Sequence, residues 1–209
     1  MKKILHVKSS PRVEGSVSRK LGSAILDKIV EKYPESEVKE LDLAEIIFPH
    51  MGGTMTSAFY TPEESRSSEQ AKAIKFSDDI IADVQDSDII VIESPMYNFT
   101  ITSTLKTFID HITRPGVTFR YTDSGPEGLI KNKKVYIAFS SGWIYDKDAP
   151  VIPDFNLSYL NKDFNVPYLK VVLGFLGMTD VIAFRADGTG LEGIKETAYQ
   201  NAFESIVIS

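Results

Sequence analysis

The sequence predicts a doubly wound α/β domain, a parallel sheet of five strands with helices on both faces. Three observations carry that expectation. Short runs dense in Ile and Val recur along the 209 residues, nearly free of polar interruption, as strands covered on both faces are. Segments with apolar residues three and four apart alternate with them. No internal repeat, low-complexity tract or linker rich in Pro, Gly or Ser divides the chain, so residues 1–209 read as one domain.

The strand expectations are Lys3–Lys8, then 38–43, 89–94, 135–139 and 181–186. A first helix is capped by Ser16 or Ser18 and turns Leu21, Ile25, Leu26, Ile29 and Val30 inward. A second runs from Glu63 or Ser68 to Gln85, with Ala71, Ile74, Ile81 and Val84 inward. A third covers 104–112 and the last 193–208. The stretches 46–66 and 142–173 show no clear period. The second of these is aromatic, with Trp143, Tyr145, Phe155, Tyr159, Phe164 and Tyr168. Excursions of that length usually build a lid, a binding wall or an oligomer contact.

Composition narrows the chemistry. The net charge of −6 gives no electrostatic case for nucleic acid or an anionic membrane. Cysteine is absent, which excludes disulfides, thiolate nucleophiles, iron–sulfur clusters and Cys-based zinc sites. His6, His50 and His111 have no paired ligand spacing, so no metal site is expected. Asp78 and Asp79 read as a solvated helix face, and Arg12 and Arg19 as surface groups or aids to an anion. The basic start at Met1 leads into too short an apolar run for an export signal, and no stretch reaches the roughly 18 apolar residues of a membrane span. A cytoplasmic protein is the expectation.

Three segments invite a ligand. Ser9-Ser10-Pro11-Arg12-Val13-Glu14-Gly15-Ser16-Val17-Ser18 follows the first strand and opens the first helix. Backbone N–H groups and a positive helix terminus are free for a phosphate there. It has neither the Gly-Lys-Ser/Thr of a P-loop nor G-x-G-x-x-G. Ser94-Pro95-Met96-Tyr97-Asn98-Phe99 follows the third strand and sets one donor–acceptor amide among apolar side chains. Ser140-Ser141-Gly142-Trp143 follows the fourth. Each alone reads equally as a capped loop, a buried loop or a tight turn. Together they occupy the carboxyl ends of strands one, three and four. In a sheet of order 2-1-3-4-5 those ends flank the crevice where the winding reverses. A phosphorylated flat cofactor accounts for all three, and FMN fits best.

K-S-S with S-x-S, P-M-Y-N-F-x-I, and G-V-T-F-R-Y-T-x-x-G-P-E-G-L at 116–129 resemble the FMN-dependent NADH-azoreductases, a flavodoxin-like branch of the NAD(P)H quinone reductases. The resemblance implies a homodimer with one FMN per subunit and NADH or NADPH as co-substrate. Quinones or aromatic azo compounds would be reduced by ping-pong two-electron transfer. It implies that Ser10, Ser16, Val17 and Ser18 hold the phosphate and that Met96, Tyr97, Asn98 and Phe99 line the ring. Ser140, Ser141, Gly142 and Trp143 would approach its pyrimidine side, with Tyr121 and Phe175 at the substrate pocket. Trp143 stands where the family usually has a second Gly, and 143–167 is longer than in many relatives; both bear on substrate preference. No catalytic side chain or metal is needed, since a flavin carries the chemistry. Two other readings are a flavodoxin-type electron carrier without nicotinamide activity and a flavin-free regulatory or scaffold protein.

Overall fold

In the computed structural model, residues 1–145 and 163–209 are described. Strand β1 (Lys3–Lys8) is followed by α1 (Val17–Lys32), β2 (Glu37–Asp42), α2 (Gly53–Tyr60) and α3 (Ser68–Asp86). Then come β3 (Ile89–Pro95), α4 (Ser103–Ile112), β4 (Phe119–Thr122) and β5 (Gly125–Gly128). The chain closes with β6 (Lys134–Ser140), α5 (Val166–Leu176), β7 (Asp180–Ala186) and α6 (Lys195–Glu204). The main sheet has the order β2-β1-β3-β6-β7, with every pair parallel. In sequence rank that is 2-1-3-4-5, the expected order.

The sheet divides two cores, and β3 shows why its sequence is continuous in Ile and Val. Ile90 and Ile92 enter the core under α3, α4 and α5, whereas Ile89 and Val91 enter the one under α1 and α6. Buried on both faces, the strand has no solvent side to keep polar. On α1, Leu21, Ile25 and Ile29 are buried, and Leu26 and Val30 are half-buried. Ser16 is its N-cap, its hydroxyl accepting the Arg19 N–H at 3.3 Å.

Several expectations shift. The helix α3 starts at Ser68, with Ser67 and Gln70 forming a capping box, and Glu63–Ser65 is a separate 3-10 turn. Ala71 is exposed, and Ser77 takes an inward place by donating to the His111 carbonyl at 2.5 Å. Asp78 is not merely solvated, because it pairs with the buried Arg114 guanidinium. The last helix is shorter than 193–208.

Two helices lie in stretches that show no period. In α2 the chain offers only Met55 and Ala58 to the core and has no side-chain cap. The sequence of α5, VPYLKVVLGFL, is apolar on nearly every side, so no stripe stands out. Block 116–129 contains an antiparallel hairpin, β4 with β5. Gly128 of that hairpin meets Gly177, the left-handed cap of α5, so closely that a Cβ on Gly128 would lie 2.1 Å from the Gly177 nitrogen. Phe155, Tyr159 and most of 143–167 lie outside the described residues.

Candidate functional site

A cavity of about 260 Å³ opens at the carboxyl edge of the sheet, between β1, β3 and β6. Ser10, Arg12, Gly15, Ser16 and Val17 line one wall, Pro95, Met96 and Tyr97 another, and Ser140, Ser141 and Gly142 a third. The three expected segments therefore do converge. Thr189 and Gly190, which sequence reasoning passed over, close the fourth side. Their only sequence signal is a small-residue run, Asp187-Gly188-Thr189-Gly190, directly after the last strand.

The first wall gathers hydroxyls. Ser16 Oγ lies 3.0 Å from Ser10 Oγ and 3.1 Å from Ser18 Oγ, and all three residues are buried. The helix rises from the same point, and the N–H groups of Val17 and Ser18 in its first turn have no intrahelical acceptor. Arg19 does not reach into the cavity. Its guanidinium grips Asp42 at 2.6 and 2.9 Å and the Ser10 carbonyl at 2.8 Å, and so sets the loop's path. The partnership with Asp42 raises the Arg19 pKa. Arg12 lines the mouth and is exposed.

The second wall is a strained turn. The Tyr97 N–H donates to the Thr100 carbonyl at 2.9 Å and the Thr100 N–H returns the bond at 3.1 Å. Asn98 and Phe99 between them hold φ of 48° and 71°. Asn tolerates that region; Phe does so at a cost of about 1–2 kcal/mol. Met96 and Tyr97 are half-buried, while Phe99 is 45% exposed. Asn98 lines a neighbouring cavity of about 530 Å³, which shares Tyr97 with the first and extends to Ile101, Lys106 and Tyr168.

The third wall is braced from β7. The single Ser141 hydroxyl proton has Asp187 at 2.8 Å and the Trp143 carbonyl at 2.7 Å as alternative acceptors. Arg185 holds Asp187 through two bonds, 2.8 and 3.0 Å, and pairs with Asp163 on its other side, over the ring of Phe139. These acidic partners hold the Arg185 charge in place against a burial that would otherwise lower its pKa. Asn165 is buried beside this group, accepts the Ser94 hydroxyl at 2.7 Å and reaches the Pro95 carbonyl. Arg185, Asp187 and Asn165 had no motif to reveal them, since their role depends on partners far along the chain.

Not every expected residue lines the cavity. Ser18 sits behind Ser16. Trp143 stands outside, its carbonyl accepting the Gly188 N–H at 3.0 Å. Tyr121 and Phe175 meet through Phe119, at ring distances of 5.6 and 4.6 Å, away from the three walls.

The donor set suits FMN. Clustered hydroxyls and a helix N-terminus match a phosphate. Two nearby carboxylates are engaged, Asp42 by Arg19 and Asp187 by Arg185, so neither turns a free negative charge to the cavity. Beside the hydroxyls, Met96 and Tyr97 offer an apolar bed for a flat ring.

The family described as "Flavodoxin-like fold" matches residues 2–207. A Herminiimonas arsenicoxydans protein named FMN-dependent NADH:quinone oxidoreductase is 43% identical over 198 residues, 94% of this chain and 93% of its own. One of the same name from Dechloromonas aromatica (strain RCB) is 42% identical, covering 90% and 89%. The crystal structure of azoreductase from Bacillus anthracis str. Sterne superposes with a TM-score of 0.86 at 30% identity, over 98% of this chain and 96% of that one. An FMN-dependent NADH-azoreductase from Bacillus anthracis str. Ames Ancestor, solved in complex with FMN, gives 0.82 at 28% identity, over 98% and 97%. The chain belongs to the flavodoxin-like family, in the group of FMN-dependent NADH:quinone oxidoreductases and azoreductases.

Proposed function

We propose that this protein is an FMN-dependent NADH:quinone oxidoreductase that also accepts aromatic azo compounds, and that the cavity of Ser10, Met96 and Ser140 holds one FMN per subunit. The observation that carries the reading is the meeting of the Ser10, Ser16 and Ser18 hydroxyls with the first turn of α1, across from Met96 and Tyr97. The names of the relatives support the reaction class, and NADH is proposed ahead of NADPH on the same ground. The azo substrates rest on the titles of the structural neighbours.

When bound, FMN supplies the two-electron redox chemistry that no side chain here provides. The chain's own share is binding and electrostatics. Ser10, Ser16 and Ser18, with the Val17 N–H, hold the phosphate. Met96 and Tyr97 bed the ring, and Asn98 and Phe99, on the turn beyond Tyr97, would flank it from the side of the neighbouring cavity. The small residues Ser140, Ser141 and Gly142 bring backbone donors to the pyrimidine side, where negative charge accumulates on reduction. Trp143 flanks the pyrimidine side, while Tyr121 and Phe175, set apart from this cavity, would reach the substrate side from the other subunit of a dimer. Nicotinamide and acceptor would use that side in turn, a ping-pong order.

A homodimer fits the apolar groups left bare at Phe164 (47%), Val171 (72%) and Tyr121 (75%). Among the described residues no helix is long and apolar enough to cross a membrane, and we place the protein in the cytoplasm.

The visible spectrum of the purified protein tests the proposal. Flavin bands bleached by NADH and restored by a quinone are expected. A protein that takes up no FMN would overturn it, and bound flavin that NADH fails to reduce would point to an electron carrier instead.

A further inference from the structure

Two ionisable side chains lie wholly buried between the central strands of the sheet and α1 and have no part in the function proposed above. His6 of β1 and Glu93 of β3 are each 0% exposed. The His6 Nε2 stands 2.9 Å from Glu93 Oε1, yet the two are misaligned, and none of the four polar side-chain atoms of this pair has a well-formed hydrogen bond among the described residues. A buried carboxyl and imidazole left so poorly satisfied are costly, and such pairs concentrate at functional sites.

Their position gives the cost a use. Glu93 lies where Gly22 has no side chain: a Cβ there would come 2.6 Å from Glu93 Cγ. Gly22 is four residues, about 6 Å, along α1 from Ser18 of the hydroxyl cluster. The Glu93 carbonyl also accepts the Ser9 hydroxyl at 2.5 Å. The pair therefore lies under α1, below the helix's first turn and the loop that carries the phosphate wall.

The other charged groups facing it cancel in pairs. Lys8 bonds Glu40 at 2.7 Å, and Glu40 is 3.6 Å from His6 Nδ1. Arg19 is matched by Asp42. Tyr136, from β6, turns its hydroxyl toward the Ser209 carbonyl. The charge under the loop is thus the pair's own: zero with one proton, −1 with none.

We infer that His6 and Glu93 share a proton beneath the phosphate loop, and that FMN binding takes up a proton at this pair. The inference rests on the FMN reading of the cavity. A phosphate dianion above the pair repels its −1 state, so the proton-bearing state binds FMN better. Burial pushes the Glu93 carboxyl above the usual carboxylate range, with His6 opposing, which favours a retained proton. By linkage, FMN affinity weakens as pH rises through the pair's titration in the free protein, by at most about tenfold per pH unit for one proton.

The test is FMN titration of the apoprotein by quenching of flavin fluorescence, from about pH 7 to about pH 9. The phosphate, with a second pKa near 6, stays a dianion across that range. The wild-type Kd should rise with pH, and Glu93→Gln, which cannot reach the −1 state, should show a shallower rise. Should that variant fail to fold, the wild-type apoprotein is mixed with FMN in weakly buffered solution containing a pH indicator, and net proton uptake should accompany binding. A flat wild-type profile, equal slopes in wild type and E93Q, or FMN binding without proton uptake would each overturn the inference. Absence of FMN binding at every pH would instead remove the reading on which it rests.

Discussion

The buried Asn165 accepts the hydroxyl of the buried Ser94 at 2.7 Å, joining the start of α5 to the end of β3, just before the 96–99 loop. Seventy-one positions separate the two residues. The same side chain reaches the Pro95 carbonyl, so the loop that would bed the flavin ring is held from below.

Asn165→Ala should therefore destabilise the protein and loosen the cavity together. The Ser94 hydroxyl would lose its partner in a buried setting, at a cost of about 1–3 kcal/mol. Urea unfolding should show that loss as a lower midpoint, and FMN should bind several-fold more weakly. Unchanged FMN affinity would separate Asn165 from the site.

Ser16 and Ser18 share a cluster but not a duty. Ser16→Ala removes the N-cap as well as a phosphate donor, so stability should fall by about 1 kcal/mol alongside FMN affinity. Ser18→Ala removes only a hydroxyl. Ser18 holds Ser16 Oγ at 3.1 Å rather than facing the cavity, so the loss of that bond, worth about 1 kcal/mol, should weaken FMN binding about fivefold with little change in the unfolding midpoint.

Phe99 holds a left-handed backbone that glycine adopts without strain. Phe99→Gly should stabilise the free protein by about 1 kcal/mol while lowering NADH-dependent quinone reduction. Thermal unfolding and turnover measured on the same preparation should move in opposite directions. A destabilised variant would show that the Phe99 ring contributes to packing more than its backbone costs.

His111 is buried, and burial lowers its pKa, opposed by its bond to the Pro49 carbonyl at 2.9 Å. The unfolded chain thus protonates His111 first. Stability should fall as pH drops below about 6.5, the ordinary histidine value, toward the lower folded value. His111→Gln keeps an amide for the Pro49 carbonyl and removes the titration. Denaturant unfolding across that window should give a shallower acid slope for the variant than for wild type.

The candidate site was legible in the sequence to the extent that it is local. Ser10, Ser16, Met96, Tyr97, Ser140 and Gly142 stand right after apolar runs, and a loop at the carboxyl end of a parallel strand faces the crevice whatever else the fold contains. Thr189 and Gly190 follow a strand too, but carry no group that announces a ligand. Asp78 looked solvated because its partner, Arg114, lies 36 positions away. The helix α5 was hidden by its own uniform apolarity, and α2 by its brevity.

What the sequence determined by itself is the sheet order and the meeting of three loops at one edge. Strand and helix periods are local, and the handedness of parallel connections leaves few ways to assemble them. Only the tertiary structure decided which of those residues line the cavity, that Arg185 and Asn165 brace it, and that His6 stands against Glu93. Such pairings join residues distant in the chain. They depend on strand register and on how closely α1 can approach at Gly22, and no local pattern encodes either.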